Sequence, residues 1–222
     1  MVIITGANSG LGLELTKIFC TNNYKVLAID ISNNDLKKIK NNNLIIINGD
    51  ITKPKTIIKI KHSIKSSDDN DILLFNNAAF SSLEKKPYIK YSQIDKIIST
   101  NLISPVLLTD YLLYNNNKNI SIINILSKVA FEGNKNSLYS ISKWGLRGYS
   151  ESLKEIYKDN DKVNIINVIP CSMKTSYWDN KPVNKEKLTL INPSIIAGRI
   201  YDHIIKNNSI DDLFIKKEEY LN

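Results

Sequence analysis

Thr5-Gly6-Ala7-Asn8-Ser9-Gly10-Leu11-Gly12 is the stretch on which the fold turns, and it holds three of the chain's eight glycines. Val2-Ile3-Ile4 before it reads as a strand, and Leu11, Leu15, Ile18 and Phe19 after it mark one apolar face at helical spacing. A glycine-rich junction between strand and helix permits a tight turn. It also lets the backbone approach a ligand closely and presents a helix N-terminus to an anion. The spacing is GxxxGxG. A plain strand-to-helix turn is the competing reading, but a place at the first such junction favours a bound dinucleotide, held by Gly6, Asn8, Ser9, Gly10, Leu11 and Gly12.

The rest of the chain continues the alternation. Val2–Ile4, Lys25–Ile29, Leu44–Ile47, Ile72–Phe75, Ser121–Ile125, Val163–Ile169 and Leu213–Ile215 read as short strands, often apolar at consecutive positions as befits burial on both faces. Helical patterns cover Asn34–Lys40, Pro54–Ser66, Ser92–Tyr114, Ser137–Lys158 and Ser194–Lys206. This order predicts an α/β, doubly wound parallel sheet with helices on both faces, and ligands at the carboxyl ends of its strands. A length of 222 residues without a Pro/Gly/Ser-rich linker predicts one domain over 1–222. The aperiodic stretch at about 172–192, with Tyr177, Trp178 and Pro182, is the expected substrate loop.

Asp30 ends the second strand, 18 residues past Gly12. A carboxylate there accepts hydrogen bonds from the adenosine ribose hydroxyls and repels a 2′-phosphate, so NAD(H) is favoured over NADP(H). Capping of the following helix is its alternative role.

The formal charge of +8 would suit an anionic partner. However, the cations are 28 lysines and only Arg147 and Arg199, whereas nucleic-acid readers lean on arginine. Lysine, asparagine and isoleucine share A/T-rich codons, which explains the bias without a nucleic acid. Cys20 and Cys171 make no disulfide framework, and His62 and His203 join no metal-ligand spacing. No apolar run in the sequence approaches the ~20 residues of a membrane span, and no secretory signal precedes the first strand. The expectation is a soluble, cytoplasmic protein with no metal, nucleic acid or membrane partner.

Tyr139 and Lys143 stand four apart on a predicted helix and share a face. An ammonium beside a phenol favours the phenolate and makes a proton donor and acceptor usable near neutrality. The spacing recurs at Tyr114/Lys118 and Tyr177/Lys181, and context selects the middle pair. Only Tyr139 lies in a helix that follows a strand ending in a hydroxyl, Ser127.

Taken together these residues resemble the short-chain dehydrogenase/reductase family. The matching pieces run in the family's order: Thr5–Gly12, Asp30, Gly49-Asp50-Ile51, Asn76-Asn77-Ala78, Asn101, Ser127, Tyr139-x-x-x-Lys143 and Pro170 through Thr175. The resemblance implies a Rossmann-type, seven-stranded parallel sheet and hydride transfer between NAD(H) and a small alcohol or carbonyl compound. By it, Tyr139 is the general acid/base, and Lys143 lowers its pKa and holds the nicotinamide ribose. Ser127 polarises the carbonyl and Asn101 supports a water-linked proton relay. Asp50 and Ile51 contact adenine, Asn76, Ala78 and Pro170 line the cofactor groove, and Thr175 reaches the carboxamide. It also implies a homodimer or homotetramer through the helices around 92–114 and 137–158. Three departures stand out: Ala79 and Cys171 replace the family's usual glycines, and Ser127 precedes Tyr139 by 12 residues, one fewer than common. The last is read as a deletion within 128–138. A non-catalytic dinucleotide-binding sensor of the same fold is the competing function, and retention of Asn101, Ser127, Tyr139 and Lys143 disfavours it.

Overall fold

The computed structural model of the chain describes residues 1–81, 88–115, 118–133, 135–175, 179 and 189–220. Seven strands form one wholly parallel sheet: β1 (Val2–Thr5), β2 (Val26–Asp30), β3 (Leu44–Asn48), β4 (Asp71–Asn76), β5 (Asn119–Ile125), β6 (Val163–Ile169) and β7 (Leu213–Phe214). Their spatial order is β3-β2-β1-β4-β5-β6-β7. The chain winds outward from β1 to β3, then returns to place β4 on the other side of β1. That reversal opens a crevice above the carboxyl ends of β1 and β4, where such sheets take their ligands.

The strands form where the sequence predicts them because both of their faces are covered. Val2, Ile4, Val26, Ala28 and Phe75 face one core, with Leu11, Leu15 and Phe19 of α1 (Gly10–Thr21) and Ile196, Ala197 and Ile200 of α6 (Pro193–Tyr201). Ile3, Leu27, Ile29, Ile72 and Leu74 face the other core. There they meet Ile57, Ile60 and Ile64 of α2 (Pro54–Lys65), and Leu108 and Leu112 of α4 (Ser104–Asn115). Leu153 of α5 (Ser137–Ile156) completes that side. Two-sided burial removes the polar alternation of a half-wet strand and leaves the continuous apolar runs seen in the sequence.

Three helical expectations are revised, among them Ser194–Lys206, which is α6 followed by a π-helical turn at Asp202–Lys206. The predicted helix at Asn34–Lys40 is only a 3-10 turn at Leu36–Lys38. The predicted helix Ser92–Tyr114 is α3 (Tyr91–Ile98) and α4 joined through a π-helical turn, Ser99–Ile103. By length and composition alone the continuous run Tyr91–Tyr114, 24 residues, could cross a membrane. It corrects the expectation that no apolar run approaches that length. In the fold its inner side is core, with Ile97, Asn101, Ser104, Leu108, Thr109 and Leu112 buried.

Candidate active site

The crevice is a cleft of about 1910 Å³. Its cofactor-side floor is the first turn. Gly6 and Gly10 have φ of +65° and +51°, in the left-handed region that glycine adopts freely. A Cβ on Gly6 would lie 2.8 Å from Ala78 Cα, and one on Gly12 would lie 2.1 Å from the Gly6 carbonyl oxygen. The turn therefore packs β1 and α1 as closely as backbone allows. Ser9 stands at the N-cap of α1 with no side-chain capping bond, and no acidic residue occupies the first turn. The positive end of the helix is thus open to an anion. A cradle that any Cβ would fill, at an uncompensated helix N-terminus, fits the pyrophosphate of a dinucleotide.

Most of the residues singled out in the sequence line this one cleft. Gly6, Ser9, Gly10, Leu11, Asp30, Asp50, Ile51 and Ala78 lie along the cofactor side, and Ser127, Tyr139, Lys143, Pro170 and Thr175 face the same space. Asp50 accepts hydrogen bonds from Thr52 N and Oγ1 at 2.9 and 2.8 Å, which fixes its carboxylate at the tip of β3. Asp30 receives the Asn8 amide at 2.9 Å on one oxygen and the Ser32 amide at 3.0 Å on the other. Each oxygen keeps a further lone pair for a ribose hydroxyl.

Four predicted site residues stand behind the lining instead of in it. The Asn8 side chain is buried, and its Oδ1 takes the amides of Asp35 and Leu36 at 3.0 and 3.1 Å. Gly12 serves packing. Asn76 is buried, donating to Thr109 Oγ1 at 3.2 Å and Asn124 Oδ1 at 2.9 Å, so it braces β4 against β5 and does not line the groove. Its neighbour Asn77 lines the groove and reaches the carbonyls of Thr5 and Gly6 at 2.8 and 3.1 Å. Asn101 is 0% exposed. Its carboxamide accepts from Phe80 N at 2.7 Å and donates to Phe80 O and Ser142 Oγ at 2.9 and 3.0 Å. With its polar atoms so occupied, that side chain fastens the tail of β4.

At the reaction end, Ser127 follows β5 and sits at the N-cap of a 3-10 turn without a capping hydrogen bond. Lys143 is only 2% exposed. Its Nζ donates to the Ile125 carbonyl at 2.7 Å and lies 5.8 Å from the centre of the Tyr139 ring. Burial lowers its pKa from 10.5 to about 8, which leaves an ammonium at neutral pH beside the phenol.

Several lining residues escaped the sequence. Phe80 and Ser81 follow β4, and the rings of Phe131 and Phe214 pack at a tilt with their centres 5.6 Å apart. Lys216, Lys217 and Glu218 also line the cleft because β7 returns the chain to it. Their charge is what hid them, although the strand at 213–215 was a signal that the chain comes back to the sheet. The expected substrate loop is pinned at its base by the Met173–Ile191 bridge; Tyr177 and Trp178 lie outside the described residues. Trp144 is half-exposed on α5 and, among the described residues, is not part of the cleft lining. Among the described residues no group of His, Cys, Asp and Glu could hold a metal ion.

The model of the short chain dehydrogenase family matches residues 1–186. The chain is 32% identical over 190 residues to the 3-oxoacyl-[acyl-carrier-protein] reductase of Buchnera aphidicola, covering 79% of this chain and 74% of that protein. It is 25% identical over 208 residues to an uncharacterized oxidoreductase of Saccharomyces cerevisiae, covering 89% of this chain and 67% of the relative. In structure it is similar to 4-hydroxyisoleucine dehydrogenase complexed with NADH and succinate. That match has a TM-score of 0.81 and 20% identity, and covers 98% of both chains. It is also similar to ElxO with NADP bound, at a TM-score of 0.82 and 22% identity over 96% of each.

Proposed function

The chain belongs to the short-chain dehydrogenase family, and on that premise we propose that this oxidoreductase interconverts a small alcohol and its carbonyl compound with NAD(H), in preference to NADP(H), using Tyr139 as general acid/base. The observation that carries the reading is the wholly buried Lys143 ammonium at the edge of the cleft, beside the Tyr139 ring. A buried lysine without a carboxylate partner costs stability, and such groups concentrate where chemistry needs them. When bound, the dinucleotide supplies the hydride chemistry. Gly6, Ser9, Gly10 and Leu11 hold its phosphates, Asp30 and Asp50 its adenosine end, and Pro170 and Thr175 its nicotinamide end. In reduction Tyr139 gives its phenolic proton to the substrate oxygen; in oxidation it takes the alcohol proton. Lys143 favours the phenolate, and the Ser127 hydroxyl hydrogen-bonds the substrate oxygen. That similar structures hold NADH or NADP supports a nicotinamide dinucleotide. Asp30 supports NAD(H), because a 2′-phosphate would meet a carboxylate.

The exposed side chains of Ile103, Leu107 and Tyr114 on the α4 side and of Ile141 and Trp144 on α5 fit an interface with a second copy of the chain. The free thiols of Cys20 and Cys171 fit a reducing, cytoplasmic setting. The decisive experiment is a screen of alcohols, hydroxy acids and sugars with each dinucleotide, read by nicotinamide absorbance, on the wild type and Tyr139→Phe. Turnover that the variant loses, with dinucleotide affinity retained, is expected. Tight dinucleotide binding with no turnover by the wild type would make the chain a sensor, and full turnover by Tyr139→Phe would overturn the acid/base assignment.

A further inference from the structure

Tyr139 sits in the first turn of α5, where helical backbone amides lack intrahelical partners. Asn136 fills that need: its Oδ1 accepts the Tyr139 amide at 3.2 Å, and its Nδ2 donates to Ser81 Oγ at 3.0 Å. On the other side, Ser142 Oγ donates to the Tyr139 carbonyl at 2.8 Å and accepts from Asn101 Nδ2 at 3.0 Å. Asn101 in turn holds both backbone groups of Phe80. Both peptide groups of Tyr139 are therefore tied by a side chain to the same two residues, Phe80 and Ser81. One tie runs through Asn136, the other through Ser142 and the π-helical turn. Ser142 and Asn101 are 0% exposed, so water does not compete for the second tie.

We propose that Asn136 and Ser142 are positioning residues that clamp the main chain of Tyr139 to the Phe80–Ser81 segment and so fix the phenol at its working distance from Lys143. This deepens the reading of Tyr139 as acid/base and rests on it. A phenol stands at the end of a long, rigid side chain, so a small tilt of its peptide displaces the hydroxyl several times further. Displacements near 1 Å cost rates up to about a hundredfold. Phe80 and Ser81 also line the cleft, so a ligand that touches them acts on the acid/base through the same ties.

The test uses the whole protein labelled with 13Cζ-tyrosine, with Tyr139 assigned by its missing signal in Tyr139→Phe. Asn136→Ala and Ser142→Ala are expected to shift the Tyr139 phenol titration from that of the wild type, because the ring moves relative to the Lys143 amine and the cleft. They should also lower kcat about tenfold while KM for the dinucleotide stays within about twofold. In a double-mutant cycle, Ser81→Ala should add little to Asn136→Ala, because both cut one tie. Loss of a helix cap alone would lower Tm without moving the phenol titration. Folded variants with an unchanged titration overturn the clamp, as does full additivity of Ser81→Ala and Asn136→Ala. If Ser142→Ala does not fold, Ser142→Cys, of similar size and a weaker donor, is read in the same way. The titration needs no turnover. A wild type that is inactive on every substrate therefore defeats the proposed activity, while the clamp is still decided by the titration.

Discussion

Among the described residues Lys143 is held in the interior by a single carbonyl, that of Ile125, and by no carboxylate, so its charge is a burden on the fold. Its pKa falls from 10.5 to about 8. Between those values the unfolded chain binds the proton and the native chain has lost it, so stability rises with pH through that window. The wild type should thus gain stability relative to Lys143→Met from about pH 8 to 10.5, by roughly 3 kcal/mol at most. Urea unfolding of both proteins across that range checks it; a constant difference between them would mean the ammonium is not desolvated. Asp30 has a double role at the same scale. Asp30→Ala should shift preference toward NADP by about tenfold or more, through lost ribose contacts and lost repulsion. It should also cost about 1–2 kcal/mol, because the Asn8 and Ser32 amides lose their acceptor. Kd values for the two dinucleotides, with Tm, separate the effects, and an unchanged preference would refute Asp30 as the selector.

Among the elements, the β1–α1 turn shows how far spacing alone can be read. GxxxGxG at a strand-to-helix junction already implied a tight turn, and the positive φ of Gly6 and Gly10 bears that out. Gly12→Ala would press a methyl 2.1 Å from the Gly6 oxygen and 2.6 Å from Asn77 Nδ2. It should cost about 1–3 kcal/mol and abolish dinucleotide binding. Gly198→Ala, on α6 with nothing within 4 Å of the new Cβ, should instead stabilise by about 0.5–1 kcal/mol. Thermal melts with calorimetric dinucleotide titrations distinguish the two, and like effects from both would defeat the packing account. Illegible were the features made by contacts distant in sequence. The π-helical turn is tied by Asn101 to Phe80 and by Ser104 Oγ to the Ile51 carbonyl, and no periodicity reports those bonds. Asn77 looked like a twin of Asn76, yet alternation along β4 sends one side chain into the sheet's polar brace and the other to the β1 turn. In that brace Asn76, Asn124 and Asn167 lie in register on three neighbouring strands, an arrangement that appears only once the strands are paired.

At the scale of the molecule, two cores on opposite faces account for most of the apolar sequence, and α4 is left with apolar residues on its outer side as well. Ile103, Leu107 and Tyr114 recur there at helical spacing, with Leu107 at 51% and Tyr114 at 87% exposure. Across from them α5 leaves Ile141 and Trp144 uncovered, at 56% and 47%. A stripe of this kind on two adjacent helices suits a two-fold contact, in which each copy offers the same surface to the other. Leu107→Lys places a charge at the centre of that surface, where the partner would strip its water. Such a charge typically costs an interface several kcal/mol, whereas on an exposed monomer surface it costs within about 0.5 kcal/mol. Sedimentation at micromolar concentration should therefore show a dimer or tetramer for the wild type and a monomer for Leu107→Lys, with far-ultraviolet dichroism unchanged. Lys17→Glu, on α1, which packs against the opposite face of the sheet, should leave the assembly intact. A wild type that sediments as a monomer at every concentration would show that the stripe is not covered by a second copy. An assembled Leu107→Lys would place the interface elsewhere on the molecule.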